Sequence, residues 1–504
     1  MSKEVTFNPM EKMLVGFNKA ANAVTGTLGP CGRNVFIDDA MTPKITNDGA
    51  TIAQNIILED KIENMGAYLI RNTSSQTNDD AGDGTTTTAV LLQAIVHECM
   101  KRTENPMFIK NELKASSENI LAQLKKRAQK IETKDIHRVA EISAENKELA
   151  KMITDIIHKV GEKAVITVED SRDFKTDYEI VEGYEAPVGF MSPVFITDAK
   201  KSRAVMTDVA VLCCEKKIAS VSDIAPIFEQ FKKAGINQAV VVCEDIENSM
   251  LGVLVNSKMV GSFNSIVIKA TGQLLEDISE FVGATRVSDQ TGITFQNIDL
   301  QLHVGKAKKV VSNANRSLFI ADGGNGENHA RKLEKDAVNE HNQYIKKRLI
   351  ERTAKLRGGV AVLRIGAPTD FERDYLRLKA EDAVKAVQAA LEEGIVEGGG
   401  MTLWRIAQTM KPKTVGEIIL KNALQAPLRK ICENAGKDYT EIVSTMPTGY
   451  GYDARNDKHV DMLAEGIIDP AKVERCALEN AVSSASTFIT TFACISDYVA
   501  PNKA

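Results

Sequence analysis

The sequence predicts a multidomain α plus α/β protein in which two mainly helical terminal blocks enclose an inserted α/β block. Three observations predict it. A chain of 504 residues is longer than one hydrophobic core usually serves, so two to four domains are expected. Between about residues 184 and 358, helical periodicity gives way to β-branched runs separated by helical patterns, the texture of an α/β insertion. Aromatics make up only 5% of the chain and Trp404 is the only tryptophan, so each core must be aliphatic.

Composition narrows the function. A formal net charge of −5 offers no general attraction to nucleic acid or to an anionic membrane, and neither partner is expected. The eight cysteines form no C-x-x-C or Cys/His cluster of metal spacing, which suits free thiols in a reducing compartment. The opening residues lack the apolar core of a signal peptide and no apolar run approaches a membrane span, so a cytoplasmic location is expected. The scattered histidines present no nucleophilic pair or triad.

In chain order, the first region reads as helices broken by glycine loops. Thr27 to Arg33 is a Gly/Pro loop before a short strand over Asn34–Asp38, and the turn Thr46 to Gly49 leads into Ala50–Leu58. Next comes Ala81 to Ile95, AGDGTTTTAVLLQAI, a tight turn feeding a buried helix. Such a helix start leaves N–H groups free and adds the positive end of the dipole, which suits phosphate. Asp83 fits beside phosphate only with a divalent cation between them. The plainer alternative is an Asp N-cap with no ligand. Spacing from Leu113 to Ile131 closes the block with an amphipathic helix.

One short helix, roughly 145–160, and a strand over Ala164–Val168 follow. The inserted block has strands over Val205–Cys213, Ala239–Cys243 and Ser265–Ala270. Within Ser222–Ala234, Ile224, Ile227 and Phe231 form an inward stripe with Phe228 to one side. Asn248–Val260 is apolar nearly all round, so it is either a buried helix or an exposed protein-binding groove. Gly358-Gly359, hinge or plain turn, precedes a strand over Val360–Ile365 and a long helix over Phe371–Glu393. Leu420, Leu424, Leu428 and Ile431 then mark one helix ending at Gly436.

Several of these stretches, taken together, resemble the group I chaperonins of the bacterial GroEL type. They are Thr27 to Asn34, Asn47 to Gly49, Leu58 to Gly66, Ala81 to Thr87, Glu393 to Gly400 and Gly466 to Pro470, in order over essentially the whole chain. The resemblance implies an equatorial ATP-binding domain (1–130 and 393–504), an intermediate hinge domain (131–183 and 359–392) and an apical substrate-binding domain (184–358). It also implies seven-membered single or double rings, a co-chaperonin lid and non-native polypeptides as clients.

Carried onto matching positions, Thr27, Leu28, Gly29 and Pro30 would line the phosphates with Gly49, Gly84, Thr85, Thr86 and Thr87. Asp83 would hold Mg²⁺, and Thr27, Asn47 and Thr86 would supply K⁺ ligands. Asp48 and Asp382 would position or activate the attacking water, making the protein an ATP hydrolase. Gly399 and Asp469 would meet the ribose and base end, with Asp453, Ala454 and Ile467 near adenine. Phe190, Val194, Phe195, Ala225, Phe228, Met250, Leu254 and Val255 would line the client groove.

The sequence also departs from the family. Asn47 stands where Lys is usual, Asp453 where Asn is, Arg455 where a small residue is, and Cys31 where a basic one is. Phe190 and Val194 take positions usually held by Tyr. The lower hinge near Ile131 is shortened. These departures keep open a divergent chaperonin with weak ATPase or no need of the lid. A metabolic ATP-using enzyme is the rival of another class, with no acceptor-binding constellation in its favour.

Overall fold

The computed structural model describes residues 3–38, 43–161, 165–171, 173–199, 202–321, 325–340 and 342–497. They form two compact units. One comprises residues 1–155, 168–177 and 364–504, the other residues 156–167 and 178–363.

The first unit is helical because its apolar residues recur at helical spacing and its helices carry caps. Thr85–Met100 lies at its centre, with Leu91, Leu92, Ile95 and Val96 fully buried. Ala471–Ile489 and Lys61–Asp80 pack against it, and Met10–Thr25 packs against both it and Lys61–Asp80. Met10–Thr25 and Lys61–Asp80 cross on glycines. A Cβ at Gly16 would lie 1.9 Å from the Glu63 carbonyl oxygen, and one at Gly66 the same distance from that of Met13. No other residue permits that approach. Four two-stranded antiparallel pairs decorate the unit: Lys3–Phe7 with Ala493–Asp497, Val35–Ile37 with Lys44–Thr46, Ile395–Glu397 with Ile468–Pro470, and Gly451–Asp453 with Lys458–Val460.

Two helical expectations change here. The expected single helix after residue 131 is preceded by another, Thr133–Ala144, which packs on Asp370–Glu393. Its polar first turn, T-K-D, hides the capping box that Glu132 and Asp135 form. The expected single helix from Leu420 to Ile431 is two, Val415–Ala423 and Ala426–Asn434. Pro427 lies in the first turn of the second, where its missing N–H costs nothing, and the apolar stripe runs through the break.

An eight-stranded sheet, most of whose residues belong to the second unit, runs in the order Val165–Asp170, Gly359–Ile365, Asp177–Ala186, Ser317–Ile320, Gly305–Ser312, Ala204–Cys214, Gln238–Cys243, Asn264–Lys269. Ala164, the expected start of the first of these, lies outside the described residues. The last three strands are parallel and joined through the helices Val221–Lys233 and Asn248–Met259, as β-α-β connections require. Central strands read as continuous apolar runs because both faces are covered: Ala239 to Cys243 are all fully buried. Asp277, almost fully buried, accepts from Arg352 Nη2 at 2.6 Å and lies 3.0 Å from His329 Nε2. All eight cysteines are free.

Candidate nucleotide site and client face

The loop Ala81 to Gly84 turns on two left-handed glycines, Gly82 at φ +75° and Gly84 at φ +81°. Gly84 is the N-cap of Thr85–Met100 and makes no side-chain cap. The Asp N-cap alternative therefore fails, since the Asp83 carboxylate accepts from the Gly84 N–H at 2.5 Å and from Ser143 Oγ at 3.1 Å. Thr88 is turned into the protein, donating to the Gly84 carbonyl and to Thr77 Oγ1. Thr85 is buried, and Thr86 and Thr87 are partly exposed in that first turn.

Two other loops reach the same place. Thr27 Oγ1 is 3.3 Å from Thr86 Oγ1. Asp48 caps the helix Gly49–Gln54, accepting from Ala50 N and Thr51 N. Gly49 is pressed against the threonines, where a Cβ would meet Thr86 Oγ1 at 2.6 Å and Thr85 Oγ1 at 2.7 Å. Asp382 arrives from the long helix Asp370–Glu393. It is pushed well above the ordinary carboxylate range, first by burial and then by the charges of Asp48 and Asp83. Asp48 and Asp83, from two distant stretches, thus lie near enough to Asp382 for their charges to oppose its ionisation, and such crowding is relieved by a cation. Carboxylate and hydroxyl oxygens are the donors a hard divalent ion prefers, so Mg²⁺ fits this set.

On the far side, Leu28 and Ile467 pack against the buried cluster containing Ala454, Tyr452 and Met462. Cys31 Sγ donates to the Ala454 carbonyl at 3.4 Å. Gly399, at φ +64°, donates its N–H to Asp469. The Asp469 carboxyl is raised to about 6 by burial and by Asp83. Gly29, at φ +82°, sits over Ile431, and Pro30 is exposed. Asp453 is buried and spends its carboxylate on its own turn, accepting from the N–H groups of Arg455 and Asn456 and from Asn456 Nδ2. Asn47 bonds to the Tyr375 hydroxyl.

Sequence reading missed five residues here. Ser143 belongs to no motif. Lys379 lies one turn before Asp382 and pairs with Glu145 at 2.8 Å, and Tyr375 bonds to the same carboxylate. Lys385, one turn after Asp382, packs its stem on Gly82 and donates to Asn78 at 3.2 Å. Glu474 bonds to Asp469. Only the i±3 spacing of Lys379 and Lys385 around Asp382 was visible beforehand.

In the second unit, Phe195, Met250 and Leu254 are buried in the core, so a client could reach them only if that core opened. Phe190, Ala225, Phe228 and Val255 are partly exposed. Val194 is exposed, as are Val253, Met259 and Val260, the last two at 73%. The helix Asn248–Met259 is therefore buried through Met250 and Leu254 and exposed through Val253 and Met259. Among the described residues, the grouping Glu276, Asp277 and His329 has metal-ligand spacing. Arg352 already neutralises it, pairing with Glu276 at 3.0 Å and Asp277 at 2.6 Å.

Residues 20–497 match the model of the TCP-1/cpn60 chaperonin family. The chain belongs to that family. The fold of this chaperonin is similar to that of the chaperonin gp146 from the bacteriophage EL 2 (Pseudomonas aeruginosa), solved in the presence of ATP-BeFx. In one crystal form the TM-score is 0.71 at 19% identity, covering 98% of this chain and 99% of that one. In a second form the TM-score is 0.66 at the same identity and coverage. At that identity the likeness establishes the fold, and it makes this a divergent chaperonin. No helix among the described residues is long and apolar enough to cross a membrane.

Proposed function

We propose that this chaperonin binds and hydrolyses ATP to drive the capture and release of non-native polypeptides. In this reading Thr27 to Pro30, Gly49 and Gly84 to Thr87 cradle the phosphates with backbone N–H and hydroxyl donors. Asp83 holds Mg²⁺, and Thr27, Asn47 and Thr86 offer oxygens to K⁺. The bound metal supplies neutralisation of the polyphosphate charge. Asp48 and Asp382 orient the attacking water, and a carboxyl raised by its neighbours is suited to accept a proton from it near neutral pH. Gly399 and Asp469 meet the ribose, and Leu28, Ala454 and Ile467 flank the base, with Asp453 shaping the turn beside it.

The single observation that carries this reading is the convergence of Asp48, Asp83 and Asp382, where burial first and then the charges of the other two hold Asp382 protonated beyond the ordinary range. Residues 131–183 and 359–392 act as the hinge domain between an equatorial domain (1–130, 393–504) and an apical domain (184–358). Because Asp382 belongs to a hinge segment, its approach to the nucleotide couples hydrolysis to domain movement. Clients are held by the exposed apical hydrophobes, with burial contributing roughly 25 cal/mol per Å², and a ring multiplies weak grips.

Ring assembly has its own support. The strand pair Val35–Ile37 with Lys44–Thr46 exposes Phe36 at 66% and Ile45 at 48%, while the terminal pair and its flank expose Phe7, Phe492 and Ile495, each above 60%. Two different apolar strand pairs on one unit are what a head-to-tail ring contact needs. We infer rings of seven subunits, single or stacked, working with a lid co-chaperonin in the cytoplasm. Asn47, tied to Tyr375 where the family has Lys, favours a slower ATPase as the second reading.

Steady-state ATP hydrolysis by the assembled protein tests the proposal. Turnover without any metabolite is expected, falling by about 10²-fold or more in Asp382→Ala, together with ATP-released suppression of aggregation of a denatured protein. Turnover unchanged by Asp382→Ala overturns the proposed site. Turnover that is slow yet abolished by Asp382→Ala selects the second reading.

A further inference from the structure

Asp469 has a partner that no motif announces. It lies in the short strand Ile468–Pro470, and Glu474 follows one turn inside Ala471–Ile489. Glu474 is 4% exposed, and its Oε2 is buried without a hydrogen-bond partner. Its carboxyl is hydrogen-bonded to that of Asp469. Two carboxyls in such contact cannot both be ionised and must share a proton. Burial, and then the charge of Asp469, hold Glu474 protonated, whereas Asp469 also has the Gly399 N–H to favour its ionised form, so Glu474 is the donor. The cations on the same helix are committed elsewhere, Lys472 to Glu392 and Arg475 to Glu393, each at 2.6 Å. Asp469 is therefore gripped by two donors, the Glu474 O–H and the Gly399 N–H. An apolar side chain would fill the place of Glu474 with no desolvation cost, so its acid group is accounted for by what it does to Asp469.

We propose that Glu474 is a positioning residue of the nucleotide site: in its protonated form it donates to Asp469 and fixes that carboxylate as an acceptor for a ribose hydroxyl. This rests on the reading of Asp469 as the ribose contact. A site built around a buried acceptor rejects an analogue lacking the hydroxyl because the acceptor is then left unpaired. Loss of the Glu474 donor leaves Asp469 free to turn away.

The test is equilibrium titration of the full-length protein with ATP and with 2′,3′-dideoxy-ATP. Wild type is expected to prefer ATP by about tenfold or more. Asp469→Ala abolishes that preference. Glu474→Leu lowers it to nearly the Asp469→Ala level, whereas Glu474→Gln, whose amide N–H replaces the acid O–H, retains it. If Asp469→Ala leaves the preference intact, the ribose reading of Asp469 is wrong and the proposal falls with it. If Asp469→Ala abolishes it and Glu474→Leu does not, the role of Glu474 alone is refuted. Should the Leu variant fail to fold, the isosteric Gln variant decides: a preference lost there also refutes Glu474 as the positioning donor.

Discussion

The glycine loops of the first unit, proposed to hold phosphate, and the apolar helices of the second are built on opposite principles. Around Asp83, the proposed function would reside in backbone geometry. Gly82 and Gly84 take left-handed conformations, Gly49 leaves no room for a Cβ, and oxygen donors from three stretches converge. Around Asn248–Met259, function would reside in surface left uncovered, and residues of one helix differ completely in exposure: Leu254 is 2% exposed, its neighbour Val253 42% and Met259 73%. The first kind of site tolerates almost no substitution. The second should tolerate any exchange that keeps it apolar.

The sharpest way to break this contrast is Gly49→Ala. The added methyl would sit 2.6 Å from Thr86 Oγ1 and 2.7 Å from Thr85 Oγ1, so both hydroxyls must move from the place proposed for phosphate. Losing two hydrogen bonds to a charged group costs about 10²-fold in affinity. ATP titration is expected to show that loss, with client binding in the absence of nucleotide unchanged. An affinity within about threefold of wild type would mean the threonines do not touch the nucleotide.

The contrast also explains what could be read in advance. The loops at Thr27, Asp48 and Asp83 were legible because a left-handed turn or a close approach admits only Gly, and because a carboxylate beside a phosphate cradle implies a metal. Their convergence with Asp382 came from the resemblance, since no spacing within the chain links residue 83 to residue 382. Ser143 and Glu474 were illegible, being single polar residues whose partners lie 60 and 5 residues away. The parallel strands of the second unit were read nearly to the residue from their apolar runs. The antiparallel strands Asp177–Ala186 and Gly305–Ser312, interleaved with charge, were not. Burial along Asn248–Met259 depends on what covers each face, which periodicity cannot supply when apolar residues surround the helix.

Two substitutions on that helix sharpen the second half of the contrast. Leu254→Ala removes a side chain from a filled core and should cost about 2–4 kcal/mol, read as a lower midpoint in urea for the second unit. Met259→Ser should leave that midpoint within about 0.5 kcal/mol while weakening aggregation suppression of a denatured protein severalfold. The reverse assignment, with Met259→Ser destabilising and Leu254→Ala affecting only clients, would show that the exposed stripe is not the client face.

The smallest effect expected is also the one that ties the nucleotide site to stability. Asp382 holds its proton more tightly in the folded chain than in the unfolded one, because burial and the charges of Asp48 and Asp83 oppose its ionisation. A raised acid of this kind costs nothing below the ordinary carboxylate value. Its cost then grows as pH rises from about 4 through the raised value, and is constant above it. Asp382→Asn removes the group that must ionise. Without nucleotide or Mg²⁺, this variant should be more stable than wild type at pH 8, by on the order of 1 kcal/mol, and the difference should vanish as pH falls toward 4. Thermal melts across that range measure it. Added Mg²⁺-ATP should stabilise wild type more than the variant, because the cation relieves in wild type a repulsion the variant lacks. A variant less stable than wild type at pH 8 would mean that Asp382 is held by favourable contacts, and that the three aspartates are not strained while awaiting a cation. The same side chain would then limit the folded state when empty and serve it when loaded, which is the stability cost expected where charges are gathered for catalysis.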